Sequence, residues 1–186
     1  MFIVLEGVDG CGKSTQAKLL GEYLKGLGKL VVLTAEPSKS MVGVALRQIL
    51  RGDAEVDART LALLFTADRM EHLKAEILPA LESGKIVVCE RYVLSTVAYQ
   101  AAQGVDAQWI LELNRFAPKP DVSFLLEADP KTAAARAKSG EIFEREDFLK
   151  RVTQNYYAYG GELIRIPPQS VDKVQAAIRK VVAGRI

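Results

Sequence analysis

Residues 7–15 read Gly7-Val8-Asp9-Gly10-Cys11-Gly12-Lys13-Ser14-Thr15, after the apolar run Phe2-Ile3-Val4-Leu5 and before a helical pattern that reaches about Leu27. Glycines at these spacings let successive backbone N–H groups point into one concavity, and a helix starting at its rim adds the positive end of its dipole. Strand, loop and helix together make a phosphate-binding site. In it Lys13 neutralises β- and γ-phosphate charge, and Ser14 offers its hydroxyl to Mg²⁺. A glycine-rich turn with no ligand would leave Lys13 unexplained. All nine residues are therefore candidate nucleotide contacts, and Lys13 is also a candidate catalytic residue.

Outward from this loop, short apolar runs alternate with helical patterns. Strands are expected at about 2–6, 30–35, 86–90, 121–127 and 162–166. Helices are expected at about 13–27, 41–51, 57–82, 93–103, 106–115, from about 130, up to about 159, and at 170–184. Ile86-Val87-Val88-Cys89 and Val122-Ser123-Phe124-Leu125-Leu126 are nearly continuous apolar runs, as strands are when helices cover both faces of a parallel sheet. The fold class is α/β, a doubly wound parallel sheet of about five strands. Ligands of such sheets bind at the carboxyl ends of the strands, which predicts Gly7, Glu36 and Glu90 on one rim. No repeat, low-complexity tract or linker divides the chain, so residues 1–186 are expected to form one domain. The charged stretch around Ser139-Gly140-Glu141, within about 136–147, is the candidate mobile lid.

Composition narrows the partners. The 186 residues are 49% apolar, enough for one sizeable core, and Lys+Arg 25 against Asp+Glu 23 gives a net charge of +2. That balance gives no reason to expect a nucleic acid or a membrane surface as the main partner. The first apolar run is cut by Glu6 after four residues, too short for a signal core or a membrane span, so a cytoplasmic location is expected. Cys11 lies in the loop and Cys89 in an apolar run, which suits no disulfide framework. With one histidine, zinc sites and His-based triads have little to work with. His72 sits in a helical stretch and reads as packed or solvated.

Three features suggest a second anion site. Phe65 and Arg69 share a helical face, roughly 6 Å apart along the axis. That spacing suits a base on the ring and a phosphate on the guanidinium, although Phe65 also fits a core position and Asp68-Arg69 a surface pair. Glu90-Arg91-Tyr92 stands where an apolar strand enters the crevice. Glu90 can hold Mg²⁺ through water and Arg91 can meet a phosphate, the alternative being a strand-end salt bridge. Arg91, Ser95 and Tyr99 recur every four residues, and Gln100 can both donate and accept, as reading a pyrimidine edge requires.

Phe2 to Gln16, Glu36-Pro37, Phe65-Thr66-Ala67-Asp68-Arg69, Glu90-Arg91-Tyr92, Ser95, Ala98-Tyr99-Gln100, Asp121 and Asp129-Pro130-x-x-Ala133-x-x-Arg136 together resemble the thymidylate kinase family. The resemblance implies transfer of the γ-phosphoryl group of ATP to dTMP with Mg²⁺, and a homodimer. It implies that residues 7–15 hold ATP and that Ser14 and Glu90 serve the metal. Glu36 then belongs to the substrate site, with Asp9 at the deoxyribose 3′-hydroxyl and Phe65 stacked on thymine. Arg69 and Arg91 bind the acceptor phosphate, Ser95 and Gln100 lie at the base, and Tyr99 lies near the sugar 2′ position. One branch of the family carries arginine where this chain has Gly10, so the resemblance assigns the catalytic cation to the lid, among Arg136, Lys138 and Arg145. The chain departs from the family pattern at Ala35, at Glu90, in a lid one residue longer, and at Pro167-Pro168. Two alternatives stand beside this reading: a kinase for another nucleoside monophosphate or a nucleoside, and a nucleotide-dependent switch. The absence of an Asn-Lys-x-Asp guanine reader and the presence of a second site both weigh against the switch.

Overall fold

The computed structural model describes residues 1–136, 143 and 145–186, the side chains of Pro130, Ala134 and Arg136 excepted. Five strands, β1 (Phe2–Glu6), β2 (Val31–Ala35), β3 (Ile86–Glu90), β4 (Val122–Leu126) and β5 (Ile164–Ile166), form one sheet in the order β2-β3-β1-β4-β5. Every neighbouring pair is parallel. Ile3 pairs with Val88 on one side and Val122 on the other, so β1 is central and all five of its residues are buried. This is the doubly wound sheet that the continuous apolar runs require.

The helices are α1 (Lys13–Gly26), α2 (Met41–Leu50), α3 (Ala58–His72), α4 (Leu78–Glu82), α5 (Val93–Ala102), α6 (Ala107–Leu113), α7 (Pro130–Arg136), α8 (Glu146–Tyr159) and α9 (Val171–Ala183). Side chains alternate across β1. Ile3 and Leu5 pack with Leu20 and Leu24 of α1 and Ile178 and Val182 of α9, whereas Phe2 and Val4 pack with Leu73, Ile77 and Ala80 on the opposite face. Each such fully buried aliphatic side chain contributes about 1.5–3 kcal/mol relative to exposure.

The single helix expected over 57–82 is α3 and α4 joined by a π-helical turn, Leu73–Ile77. Pro79 has no N–H for the carbonyl of Ala75, and a widened turn before it accommodates the missing bond. Asp57, accepting from the backbone N–H groups of Arg59 and Thr60, fixes the start of α3. Among the described residues no helix is long and apolar enough to cross a membrane.

Chain reversals at the carboxyl edge of the sheet bring the predicted rim together. Glu36 follows β2, and its N–H donates to the carbonyl of Glu90 at the end of β3 (2.9 Å). Gly7 follows β1, with φ of 141°, and a Cβ there would stand 2.6 Å from the Leu126 carbonyl and 2.8 Å from Cys11 Sγ. Only glycine fits.

Candidate active site

The loop between β1 and α1 bends through Gly12, whose left-handed backbone (φ 97°) starts the helix with no side-chain cap. The first N–H groups of α1 thus face the crevice, where an anion can satisfy them. Lys13 Nζ lies under the loop and donates to the carbonyls of Gly7 (3.0 Å) and Val8 (2.8 Å). Ser14 Oγ donates to Glu90 Oε2 at 2.6 Å, which joins the two expected metal-side residues. Asp9, Gly10, Gly12, Lys13, Ser14 and Thr15 line this mouth with Glu90 and Arg91.

A second pocket opens from the same edge, and Phe65, Arg69, Ser95, Tyr99 and Gln100 all line it, with Glu36. Asp9 and Arg91 line both mouths. Arg91 is the one non-glycine residue with positive φ (65°) among those described. A residue is held in that region only when its surroundings over-determine it. Here its N–H donates to the Leu5 carbonyl (2.9 Å), while its guanidinium pairs with Asp9, donates to the carbonyl of Gly7 and to Ser95 Oγ, and lies over the Tyr99 ring. Tyr99 OH in turn donates to Asp9 Oδ2 at 2.8 Å. Burial would raise the Asp9 carboxyl, but Arg91, then Lys13 and the Tyr99 hydroxyl, outweigh it and bring it down to about 2. Asp9 is therefore a fixed anion that accepts hydrogen bonds.

Arg69 is 1% exposed, which excludes the surface-pair reading of Asp68-Arg69. Its Nη2 donates to Glu36 Oε2 (2.7 Å) and Thr96 Oγ1 (2.9 Å), its Nη1 donates to Asn114 Oδ1, and its Nε has no partner. Asp68 is also buried and accepts from Ser38 N–H, Ser38 Oγ and Ser40 Oγ, which ties the loop after β2 to α3. Gln100 is fully buried in the pocket wall, and neither its amide oxygen nor its amide nitrogen has a partner. A buried amide with both ends unpaired is costly unless a ligand completes it.

Several site residues escaped the sequence reading. Glu6 accepts from Ser95 Oγ, Tyr156 OH and the N–H of Tyr92, and burial raises its carboxyl above the ordinary range despite these bonds. An acid at the end of an apolar strand was its signal. Phe143 packs edge-on to Tyr99, with ring centroids 5.8 Å apart, and closes one side of the pocket. Its signal was an aromatic residue inside a charged stretch. Thr96 and Asn114 had none. Of the expected lid cations, Arg145 is exposed at the N-cap of α8 and lines neither mouth. Lys138 and the side chain of Arg136 lie outside the described residues, as does most of 136–147. His72 is packed, bonded to Thr34, Glu36 and Glu76.

Comparison with known proteins joins this geometry to a family. Residues 5–178 match the family model for thymidylate kinase. A probable thymidylate kinase of Methanocaldococcus jannaschii is 46% identical over 182 residues, covering 96% of this chain and 93% of that protein. A thymidylate kinase of Desulfotalea psychrophila is 39% identical over 184 residues, covering 95% of this chain and 91% of that protein. The crystal structure of thymidylate kinase from Ehrlichia chaffeensis superposes with a TM-score of 0.81 at 32% identity, covering 98% of both chains. With a phosphate loop, a second pocket beside it and likeness that spans nearly its whole length, the chain belongs to the thymidylate kinase family.

Proposed function

We propose that the two mouths are the donor and acceptor sites of one phosphoryl-transfer enzyme. The family's reaction moves the γ-phosphoryl group of ATP to dTMP, giving ADP and dTDP. The observation that carries the assignment of sites is the Asp9–Arg91 pair, which belongs to both mouths and so marks where the two nucleotides meet.

On the donor side, residues 7–15 wrap the triphosphate with backbone N–H groups, and Lys13 exchanges its loop carbonyls for phosphate oxygens. Ser14 and Glu90 suit Mg²⁺. No group of three or more His, Cys, Asp or Glu side chains gathers among the described residues, so the remaining ligands would be phosphate oxygens and water, as is usual for this ion. When bound, Mg²⁺ supplies charge neutralisation at the β- and γ-oxygens. On the acceptor side, Phe65 stacks on thymine, Gln100 completes its two unpaired amide atoms on the base edge, and Ser95 lies beside it. Asp9 accepts from the 3′-hydroxyl, and Tyr99 occupies the space of a 2′-hydroxyl. Arg91 and Arg69 hold the phosphate, with Glu36 orienting Arg69. A phosphate oxygen of dTMP is already nucleophilic, so positioning and charge neutralisation suffice without a strong base. An arginine from 136–147, Arg136 or Arg145, completes the charge around the transferring group.

Calorimetric titration tests the division. Phe65→Ala should weaken dTMP by about 1–3 kcal/mol, the weight of one stacked base, and leave ATP unchanged. Equal weakening of both nucleotides would contradict it.

We propose further that the active form is a homodimer. Exposed Leu63, Ala67 and Met70 recur along one face of α3, and the neighbouring α2 exposes Met41 and Val44. An apolar row of this kind marks a protein interface.

A further inference from the structure

His72 has no part in the reaction as described, yet it is buried between two carboxylates directly behind the acceptor pocket. Its Nδ1 stands 3.3 Å from Glu36 Oε1, and its Nε2 stands 2.7 Å from Thr34 Oγ1 and 3.1 Å from Glu76 Oε2. Thr34 spends its only hydroxyl proton on Glu76 Oε2, at 2.6 Å. The Thr34 oxygen then accepts from the ring and Nε2 carries a proton, because turning the Thr34 proton to a bare Nε2 would leave Glu76 Oε2 facing two lone pairs, at 2.6 and 3.1 Å. Nδ1 faces a carboxylate oxygen, which also only accepts, so it must carry one as well. A neutral imidazole has one N–H and would turn a lone pair against one of these oxygens. Both requirements are met only by the imidazolium.

We propose that His72 is a positioning residue of the acceptor site, an imidazolium that holds Glu36 Oε1 and thereby fixes the Glu36 Oε2–Arg69 contact at the pocket floor. This rests on the reading of that pocket as the dTMP site. Glu36 has one oxygen on each cation, Arg69 Nη2 at 2.7 Å and His72 Nδ1 at 3.3 Å, so loss of the ring proton leaves the carboxylate free to turn and takes the aim of Arg69 with it. The groups facing the ring are Thr34 from β2, Glu36 from the loop after it, and Glu76 from its own helical run, with Arg69 on the far side of the Glu36 carboxylate. Cys89 on β3 is the register partner of Thr34, and burial keeps its thiol protonated. Burial of the ring opposes its charge, but the hydrogen bond and charge of Glu36, with Glu76 adding, overcome that and raise the imidazole above its ordinary value. The hold of His72 on Glu36 is thus complete below that ordinary value and is lost as pH rises through the raised one.

The chain has one histidine, so a single set of imidazole resonances reports the titration. The experiment follows those resonances across pH in the wild-type protein and in Glu76→Gln, a half-exposed position outside both mouths, and measures dTMP and ATP affinity by calorimetry over the same range. Both ring nitrogens should be protonated near neutral pH in the wild type. The affinity for dTMP should then fall on the order of tenfold through the ring's titration, the weight of about one charge-assisted hydrogen bond, while ATP affinity stays flat. In Glu76→Gln the ring titration and the dTMP limb should move together to lower pH. The phosphate of dTMP itself titrates near pH ~6 in both cases, so the displacement between the two curves belongs to the protein. A ring that is neutral near neutral pH, or dTMP affinity that stays flat while the ring titrates, overturns the proposal. Failure to bind dTMP at any pH refutes the acceptor assignment and the proposal with it, whereas pH-flat dTMP binding refutes the proposal alone.

Discussion

Arg69 and Arg91 both line the proposed acceptor pocket, but their burial gives them different weights. Arg69 is enclosed with Glu36, so Arg69→Ala leaves a buried carboxylate without its strongest partner and should cost about 3–5 kcal/mol in denaturant unfolding, besides weakening dTMP. Arg91 and Asp9 keep some contact with solvent, and Arg91→Ala should spare stability more than it spares turnover. Asp9 gives a pH signature. Its carboxyl is depressed in the folded state from about 3.8 to about 2, so it contributes about 2 kcal/mol above the unfolded value, and this is lost as pH falls through the folded one. The stability gap between wild type and Asp9→Asn should therefore shrink across that interval in acid unfolding measurements. Lys13 Nζ bonds only to the loop itself, to the carbonyls of Gly7 and Val8 and to Cys11 Sγ. Lys13→Ala should keep a wild-type far-UV spectrum and slow single-turnover transfer about 10²–10³-fold. The sequence revealed Phe65 and Arg69 as a pair because four residues make one helical turn. It could not reveal the partners of Arg69, which stand 33, 27 and 45 residues away and meet it only through tertiary packing.

At the scale of elements, periodicity and caps made most boundaries legible. β1 and β3 match the expected 2–6 and 86–90, because continuous apolar runs ended by acids leave little choice. The last strand is shorter than expected, Ile164–Ile166, since Gly160 and Gly161 turn the chain before it and Pro167 cannot extend a ladder. The π-helical turn stayed hidden because Pro79 marks a disturbance without saying how the helix absorbs it. The exposed row on α3 was equally hidden, since helical spacing alone does not say which apolar face the core takes. That row yields a prediction: Leu63→Lys should shift sedimentation from dimer to monomer while the far-UV spectrum stays unchanged. A monomeric wild type, or a dimeric variant, would contradict the interface. For residues 136–147, Arg136→Ala or Arg145→Ala should lower the single-turnover rate steeply with ATP affinity retained, as an arginine at a transferring phosphate contributes about 10³–10⁵ in rate.

At the scale of the whole molecule, the sequence implied a doubly wound sheet but not its order. Order depends on where each helix packs, a property that no local window contains. Once β1 stands between β3 and β4, the ends of β1, β2 and β3 deliver the phosphate loop, Glu36 and Glu90–Arg91 to one edge, and the two mouths share a wall. We propose that the chain acts as one folding unit, since all the strands among the described residues belong to one sheet. The claim on which everything rests is that a nucleotide on the phosphate loop reacts with a monophosphate in the neighbouring pocket. The most direct measurement is ADP formation from ATP and Mg²⁺, with no acceptor and with each of dTMP, dUMP, dCMP, AMP and thymidine in turn. The shared Asp9–Arg91 wall predicts negligible ADP without acceptor, rapid and stoichiometric ADP and dTDP with dTMP, and little with thymidine, which brings no phosphate to Arg69 and Arg91. ADP released at the same rate with and without dTMP would contradict it.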